Sequence, residues 1–247
     1  MEARSVAPLI VVVGPTASGK TSAAIELAKK WDGEIICADS RTIYTGMDIG
    51  TAKPRQDERF GVPHWGLDIV NPDEKFTASD FKKYVEDRVR DIRRREKVPF
   101  LVGGTGLYID SVIFNFDFNG RKEVREDWRK KPMGNVLMVG IATDRAVLRS
   151  RIEQRAEHMF SNGVVEEATM LGKKYGWELP SMTGNIYPVI KSYLDGEINL
   201  DQAVDRFATL DWQLAKRQMT WFRPNPFIKW CSLTDVSAYV DRWMTAE

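Results

Sequence analysis

Four short runs of apolar residues along the chain predict its main β-strands. They span residues 8–13, 34–38, 98–102 and 136–141. A continuous apolar run of this length predicts a strand that is buried on both faces of a sheet. The intervening segments carry helical stripes of apolar residues at Ala24, Leu27, Ala28 and Trp31, at Phe81, Tyr84, Val85, Val89 and Ile92, and at Leu148, Ile152, Ala156 and Met159. We therefore predict an α/β fold, a mostly parallel sheet with helices on both faces.

The first apolar run leads directly into the sequence "GPTASGKT", residues 14–21, which is followed by the first helical stripe. In this spacing, backbone N–H groups surround a phosphate and the lysine reaches over it. Strand, glycine loop and helix in this order indicate a P-loop NTPase-like fold. The predicted diphosphate-binding residues of the loop are Gly14, Pro15, Thr16, Ala17, Ser18, Gly19, Lys20 and Thr21. The Thr21 hydroxyl is placed to hold a Mg²⁺ ion that bridges phosphate oxygens.

The residues that follow the other apolar runs are candidates for the same pocket, because ligands gather beyond the carboxyl ends of parallel strands. Asp39 and Ser40 follow the second run, and Thr105 lies in "GGTGLY" after the third. A carboxylate beside a phosphate loop is a candidate general base. The alternative role for Asp39 is that of a turn former or helix cap. The glycines of "GGTGLY" either allow a substrate to approach the backbone or only make a turn.

Two further cations are candidates for binding phosphate. Arg145 opens a helix after the fourth apolar run. The helix dipole disfavours a cation at this position unless an anion lies in front of it, so Arg145 is a candidate for the pyrophosphate. Lys53 lies in "IGTAKP", where a solvated lysine is the default and a clamp on a second phosphate is the alternative.

Two basic clusters differ in character. Residues 88–97 carry their cations on the outer face of an amphipathic helix with acidic neighbours, which indicates a solvated face. In the other cluster, Lys216 and Arg217 lie close to Trp221 and Phe222. Cations beside aromatic rings suit phosphates and unstacked bases, whereas packing of both rings in the core is the alternative.

The composition of the whole chain gives no sign of a nucleic-acid partner. The 247 residues include 36 Lys and Arg and 35 Asp and Glu, so such a partner must meet a local patch. The length favours a single P-loop α/β core over residues 1–247. Two distant cysteines, no signal peptide and no long apolar run lead us to expect a cytoplasmic protein without membrane contact. A monomer is the default expectation. The isolated His64 and His158 form no metal constellation.

Several segments together resemble the tRNA dimethylallyltransferase family, also called tRNA isopentenyltransferases. They are "GPTASGKT", "ADSRTIYTGMDIGTAKP", "VPHWGLDIVNPDEKFTASDF", "PFLVGGTGLYI", "DRAVLRSRIEQRAEHMFSNGVVEEA", "YLDGE" and "AKRQMTWFR". These segments occur in the order of the family and cover most of residues 9 to 230.

The resemblance implies that the phosphate loop binds dimethylallyl diphosphate and that the acceptor is N6 of adenine 37 in the tRNA anticodon stem-loop. By analogy, Asp39 takes the N6 proton, while Thr16, Lys20, Thr21 and Arg145 stabilise the departing pyrophosphate. The target base leaves its stack to reach the pocket. The residues expected to contact the tRNA or its adenine are Asp39, Ser40, Arg41, Thr42, Thr105, Lys216 and Arg217.

The chain departs from the family in three places. Residues 119–135 form only a short remnant where the family carries a helical insertion that grips the anticodon stem. Thr42 stands where the family usually has glutamine, and the Gly and Tyr of the pattern "IGY" are displaced in "MTGNIYPV". An adenylate isopentenyltransferase, which modifies free adenine nucleotides, is therefore the alternative interpretation. More distant alternatives are a nucleotide kinase and a non-catalytic RNA-binding protein.

Overall fold

A computed structural model describes residues 7–115 and 131–246. Its six strands are β1 (Leu9–Val13), β2 (Gly33–Ala38), β3 (His64–Trp65), β4 (Val98–Gly103), β5 (Val136–Ile141) and β6 (Ile228–Cys231). They form one sheet in the order β3-β2-β4-β1-β5-β6, in which every pairing is parallel. The predicted parallel sheet is confirmed, and all four predicted strands lie within it. The short edge strands β3 and β6 were not predicted from the sequence.

The described residues contain eight α-helices. They are α1 (Lys20–Lys30), α2 (Ala78–Arg94), α3 (Gly106–Ile113), α4 (Arg145–Ser161), α5 (Val164–Tyr175), α6 (Ile186–Leu194), α7 (Leu200–Phe222) and α8 (Val236–Thr245). Apolar side chains of α1 and α8 pack on one face of the sheet, and those of α2 and α3 pack on the other. Helices on both faces are therefore confirmed.

Capping residues begin two of the longer helices. Thr77 accepts a hydrogen bond from the N–H of Asp80, and the Asp80 carboxylate accepts one from the N–H of Thr77. Asn199 and Gln202 make the same reciprocal pair at the start of α7. Each box satisfies backbone donors that the first helical turn leaves unpaired. These boxes fix where α2 and α7 begin.

A third apolar cluster lies beside the carboxyl ends of the strands and belongs to helices rather than to the sheet. Residues of α4, α5, α6 and α7 pack there against Ile43, Tyr44 and Met47 of the loop that follows β2. This cluster builds a helical wall opposite the strand ends. The wall and the strand ends enclose the site described below.

The basic face of α2 is less solvated than its charge pattern predicts. The Arg95 guanidinium pairs with Glu34, whose carboxylate is buried in β2 and also accepts a hydrogen bond from Trp65 Nε1 at 2.7 Å. Arg88 lies over the Trp65 ring, 5.1 Å from its centroid. The remnant predicted at 119–135 falls outside the described residues except for 131–135. In the part of the chain that the structure describes, no helix is long and apolar enough to cross a membrane.

Candidate active site

A cleft of about 330 Å³ lies at the carboxyl ends of β1, β2 and β4, facing helices α4, α6 and α7. Seven of the residues predicted for the site line it: Thr16, Lys20, Asp39, Ser40, Arg41, Thr105 and Arg217. The structure thus brings residues from three strand ends and from α7 to one cavity. Such a crevice is where open parallel sheets bind their ligands.

The phosphate loop is held in a left-handed conformation at two points. Ala17 and Gly19 have φ values of 61° and 89°, and the N–H of Ser18 donates to the carbonyl of Pro15 at 3.2 Å. Lys20 Nζ donates to the same carbonyl at 3.3 Å. Burial lowers the pKa of Lys20 to about 8, although the attraction of Asp39 opposes that shift. A buried ammonium is stabilised by an anion, and the loop therefore presents a charge that a diphosphate would satisfy.

The two oxygens of the Asp39 carboxylate have different roles. Oδ1 accepts a hydrogen bond from the N–H of Arg41 at 2.8 Å, which closes a turn after β2. Within the described residues, no hydrogen bond involves Oδ2, and Asp39 lines the cleft. The turn-forming role and the general-base role are therefore compatible, because each uses a different oxygen.

Thr105 joins the ends of two neighbouring strands. Its Oγ1 accepts a hydrogen bond from the N–H of Ser40 at 3.0 Å. The N–H of Thr105 donates to the carbonyl of Ala38 at 3.2 Å. At Gly103, a Cβ atom would lie 2.0 Å from that carbonyl oxygen, so the strand ends approach more closely than a side chain allows. Gly103 therefore serves close backbone packing, whereas Gly104 and Gly106 leave room for the side chains of Gln218 and Trp221.

Gln218 of α7 connects the phosphate loop to the end of β4 and was not predicted as a site residue. Its Oε1 accepts the N–H of Thr16 at 2.7 Å, and its Nε2 donates to the carbonyl of Gly104 at 3.2 Å. A Cβ atom on Gly104 would lie 2.3 Å from Nε2. The carboxamide thus occupies one loop amide and positions α7 over the cleft.

Arg155 and Asp211 form an ion pair in the cleft, and the sequence analysis missed both. The Arg155 guanidinium contacts Oδ2 of Asp211, whose Oδ1 accepts a hydrogen bond from Asn185 Nδ2 at 3.3 Å. Asp211 is buried, and the positive charge of Arg155 is close enough to lower the pKa of Lys20 further. The two residues are 56 positions apart, so no local sequence pattern predicts that they pair. The cleft therefore contains a second cation facing the phosphate loop.

Of the phosphate loop only Thr16 and Lys20 line the cleft, and four of the predicted site residues outside the loop do not line it. Lys53 is buried, and its Nζ contacts Asp48 Oδ1 at 2.5 Å, Asp68 Oδ1 at 2.6 Å and the carbonyl of Tyr44 at 2.9 Å. All three ammonium donors are thereby engaged, which leaves none for a phosphate. These contacts do not support a phosphate clamp at Lys53.

The other three residues differ in their surroundings. Arg145 is exposed and lies over the Trp212 ring, 5.4 Å from its centroid. The side chain of Thr42 is buried away from the cleft, and Lys216 lines a neighbouring hollow on α7. The Arg41 guanidinium reaches the edge of the cleft but donates to the carbonyls of Pro180 and Ser181 at 2.9 and 3.2 Å. The predicted contacts of Arg145, Thr42 and Lys216 with ligand do not follow from these positions.

Of the two aromatic residues near Lys216 and Arg217, one is packed in the core and the other remains partly accessible. Phe222 is fully buried in the core beneath the sheet. Trp221 is 38% exposed, and its Nε1 donates to Asp110 at 2.6 Å. A Cβ atom on Gly106 would lie 2.2 Å from the Trp221 ring, so the indole packs closely against the start of α3. Core packing holds for Phe222, whereas Trp221 keeps a fixed and partly accessible ring.

Glu167 of α5 anchors the loop that forms one side of the cleft. Its Oε2 accepts the N–H groups of Asp48 and Ile49 at 2.9 and 2.6 Å. Its Oε1 accepts the N–H of Gly50 at 2.9 Å and the hydroxyl of Tyr187 at 3.1 Å. The carboxylate is 6% exposed. Because Gly50 and the next two residues line the cleft, Glu167 fixes part of its shape without touching a ligand.

The substitution Glu167→Gln is expected to lower the free energy of unfolding by about 2–3 kcal/mol. If Oε2 becomes the amide nitrogen, the N–H groups of Asp48 and Ile49 lose their acceptor; if Oε1 does, the N–H of Gly50 loses its acceptor. Urea unfolding measures the change. Glu166→Gln is the control, because Glu166 is the exposed neighbour on the same helix. Equal unfolding free energies for the two variants would contradict the anchoring role.

Comparison with known proteins identifies close relatives over nearly the whole chain. A family model described as IPP transferase matches residues 42–135 and 129–225. The tRNA dimethylallyltransferase of Thermoanaerobacter sp. (strain X514) is 34% identical, with 94% of this chain and 93% of the relative aligned. That alignment runs over 294 residues, whereas this chain has 247, so the relative carries residues that this chain lacks. The two family-model matches overlap at residues 129–135, within the short segment 119–135.

Two solved structures have the same fold. The tRNA isopentenylpyrophosphate transferase of Bacillus halodurans superposes with a TM-score of 0.87 at 30% identity, covering 97% of this chain and 96% of the other. The tRNA delta(2)-isopentenylpyrophosphate transferase of Staphylococcus epidermidis gives a TM-score of 0.87 at 31% identity, covering 98% and 100%. The similarity therefore includes the helical wall as well as the sheet.

Proposed function

The chain belongs to the IPP transferase family of tRNA dimethylallyltransferases, and on that premise we propose that it transfers a dimethylallyl group from dimethylallyl diphosphate to N6 of adenine 37 in tRNA. One observation carries the proposal. The phosphate loop with Lys20 and the open carboxylate oxygen of Asp39 face the same cleft. An anionic leaving group and an attacking amine therefore each have a partner within one cavity.

The donor's diphosphate is bound by the loop amides, Lys20 and Arg155. We assign the second cation to Arg155 rather than Arg145, because Arg155 lines the cleft and Arg145 does not. Charge builds on the departing pyrophosphate as the allylic carbon–oxygen bond breaks. Preorganised cations and amide dipoles stabilise that charge. This arrangement lowers the barrier at the step that costs most.

Thr21 fits a Mg²⁺ ion as one ligand among several. It follows Lys20 in the first turn of α1, and its side chain is exposed. Within residues 7–115 and 131–246, no group of three His, Cys, Asp or Glu side chains is arranged to hold a metal. The Thr21 hydroxyl, phosphate oxygens and water would make an oxygen-only set, which Mg²⁺ prefers. When bound, the ion supplies positive charge to the leaving group.

The transfer step needs only one proton acceptor. N6 of adenine forms a bond to the allylic carbon while the bond between that carbon and the diphosphate oxygen breaks. The electron pair of the broken bond leaves with pyrophosphate, and the excess N6 proton passes to Oδ2 of Asp39. Oδ1 keeps the carboxylate oriented through its hydrogen bond from Arg41. Ser40 and Thr105 line the cleft beside Asp39 and suit contacts with the base.

The acceptor approaches along α7, where Arg217 lies at the cleft. The neighbouring hollow is lined by Gln213, Lys216, Arg217, Thr220 and Trp221. Two cations beside an accessible indole suit the phosphates and bases of a flipped-out nucleotide and its neighbours. Because tRNA is the acceptor, we propose that the enzyme works in the cytoplasm. We also propose that it acts as a monomer, since one chain supplies all the residues that we assign to the cleft.

One observation favours a second candidate, an adenylate isopentenyltransferase that acts on free AMP, ADP or ATP. The segment 119–135 is short, and relatives align over more residues than this chain has. A free nucleotide needs no segment that grips an RNA stem. The Arg217 and Trp221 surface favours tRNA.

Incubation with labelled dimethylallyl diphosphate distinguishes these functions. One reaction contains bulk tRNA, and parallel reactions contain AMP, ADP or ATP. We expect label in tRNA, at an adenosine that is 3′ of the anticodon. Label only in free nucleotide would establish the second candidate instead. Transfer of the γ-phosphate of ATP without prenyl transfer would indicate a kinase and refute both.

A further inference from the structure

The wall that α7 presents to the cleft is polar at Gln218, apolar at Leu214, charged at Asp211 and apolar at Phe207. Gln218, Leu214, Asp211 and Phe207 all line the cleft, and their spacing places them along one face of the helix. Gln218 contacts the phosphate loop at Thr16. Phe207, eleven residues earlier in the chain, lies at the opposite end of this stripe and is 3% exposed. The cleft therefore has a polar end at the loop and an apolar end at Phe207.

Along the cleft, helix α4 also changes from a charged residue to an apolar one. Arg155 and Met159 are one turn apart and both line the cleft. Arg155 pairs with Asp211, whereas Met159 belongs to the same apolar cluster as Phe207. Ile186 of α6, which is 1% exposed, completes this end. Buried side chains from three helices thus close the apolar end against water.

The length of the apolar end can be estimated from helix geometry. At a rise of 1.5 Å per residue, Phe207 lies about 6 Å along α7 from Asp211. The longest carbon chain of a dimethylallyl group has three carbon–carbon bonds and reaches about 4 Å. The length of the five-carbon unit is thus comparable to the spacing along α7 between Asp211, which pairs with Arg155, and Phe207. A ten-carbon tail would extend about 5 Å further and meet the buried side chains.

We propose that Phe207 and Met159 form a wall that limits the transferred isoprenoid to five carbons. This inference rests on the proposed function and adds a specificity determinant to it. The isoprenoid tail lies against the apolar end, with the diphosphate at the loop and the allylic carbon near Asp39. Closely packed interiors resist added methylenes, because neighbouring side chains cannot move aside without strain. A longer donor is therefore excluded by the wall rather than by the phosphate loop.

The test compares dimethylallyl diphosphate with geranyl diphosphate, its ten-carbon homologue, at saturating tRNA. For the unmodified protein, we expect kcat/KM with geranyl diphosphate to be at least about 100-fold lower than kcat/KM with dimethylallyl diphosphate. Phe207→Ala and Met159→Ala are expected to raise the ratio of ten-carbon to five-carbon transfer by about tenfold or more. The ratio is the readout because a general loss of stability would lower both rates together.

Leu171→Ala is the matched control. Leu171 is 6% exposed and belongs to the same apolar cluster, but it does not line the cleft. It is expected to cost comparable stability while leaving the ratio unchanged. Phe207→Leu is the milder substitution if Phe207→Ala does not fold, and a raised ratio is expected for it as well.

Each outcome is informative. If the unmodified protein transfers five carbons to tRNA but the wall variants keep the ratio of Leu171→Ala, the length limit is overturned and the proposed function stands. If the unmodified protein uses geranyl diphosphate as well as dimethylallyl diphosphate, the limit is likewise overturned. If it transfers neither tail to any acceptor, the proposed function fails, and the length limit fails with it.

Discussion

Asp39→Asn is expected to lower the rate of dimethylallyl transfer by about 10³-fold, because a positioned general base contributes on this order. Asparagine keeps an oxygen that accepts the Arg41 N–H, so the turn after β2 is preserved. It removes the carboxylate oxygen that would take the N6 proton. The affinity for dimethylallyl diphosphate at pH 7 is expected to change little, since the diphosphate contacts the loop rather than Asp39, although loss of the Asp39 charge lowers the pKa of Lys20 further. Single-turnover transfer to tRNA and equilibrium binding of the donor measure the two effects separately.

Asp32→Asn is the control for loss of a carboxylate. Asp32 lies outside the cleft and pairs with Lys97 at 2.7 Å. Its φ of 45° suits asparagine as well as aspartate. We expect the rate of transfer to be unaltered in this variant. A rate in Asp39→Asn within about tenfold of the unmodified protein would remove Asp39 from the role of base.

Lys20→Met is expected to weaken binding of the diphosphate by about 10- to 150-fold, because hydrogen bonds to charged groups are worth about 1.5–3 kcal/mol. Affinity should also depend on pH. Burial lowers the pKa of Lys20 to about 8, so in the free protein the ammonium is lost as the pH rises through 8. The anion binds the ammonium, and its affinity should therefore fall above pH 8. Titration with inorganic pyrophosphate from pH 7 to 9.5 measures this dependence.

The same shift predicts the direction of a stability effect. The pKa of Lys20 in the folded protein lies below its ordinary value of 10.5, so the folded state holds fewer protons than the unfolded state between these two values. The unfavourable contribution of this buried ammonium therefore diminishes as the pH rises from 8 to 10.5.

Lys30→Met is the control for Lys20→Met, since Lys30 is exposed and pairs with Asp241 outside the cleft. It should keep both the affinity and the pH dependence of the unmodified protein. Lys20→Met should lose the dependence that is centred near pH 8. If Lys20→Met binds pyrophosphate as tightly as the control, or keeps that pH dependence, the lysine does not contact the diphosphate.

The central strands could be predicted from the sequence because they are buried on both faces and read as unbroken apolar runs. The edge strands could not. β3 has two residues, and β6 has the sequence IKWC, in which Lys229 is exposed and interrupts the apolar pattern. Their positions depend on pairing with β2 and β5, which no local pattern contains. The apolar pattern therefore predicted the longer, buried strands and did not predict the short edge strands.

The site divides in the same way. The phosphate loop, Asp39 and Thr105 could be predicted because each directly follows an apolar run whose carboxyl end reaches the crevice. Glu167 could not, since its acceptors serve amides 117 to 119 residues earlier in the chain. The ion pair of Lys53 with Asp68 could not be predicted for a related reason, because Asp68 lies in a separate loop. Contacts between distant helices and loops are set by tertiary packing, which periodicity does not report.

The place of α7 in the chain bears on how the enzyme is made. This helix ends at Phe222, yet it supplies Gln218 to the phosphate loop and Asp211 to Arg155. On the ribosome, the loop and the first five strands emerge before it. The nascent chain therefore has its phosphate loop long before it has a closed cleft. A chain truncated before α7 would have the cationic phosphate loop but would lack the helix that closes the cleft over it.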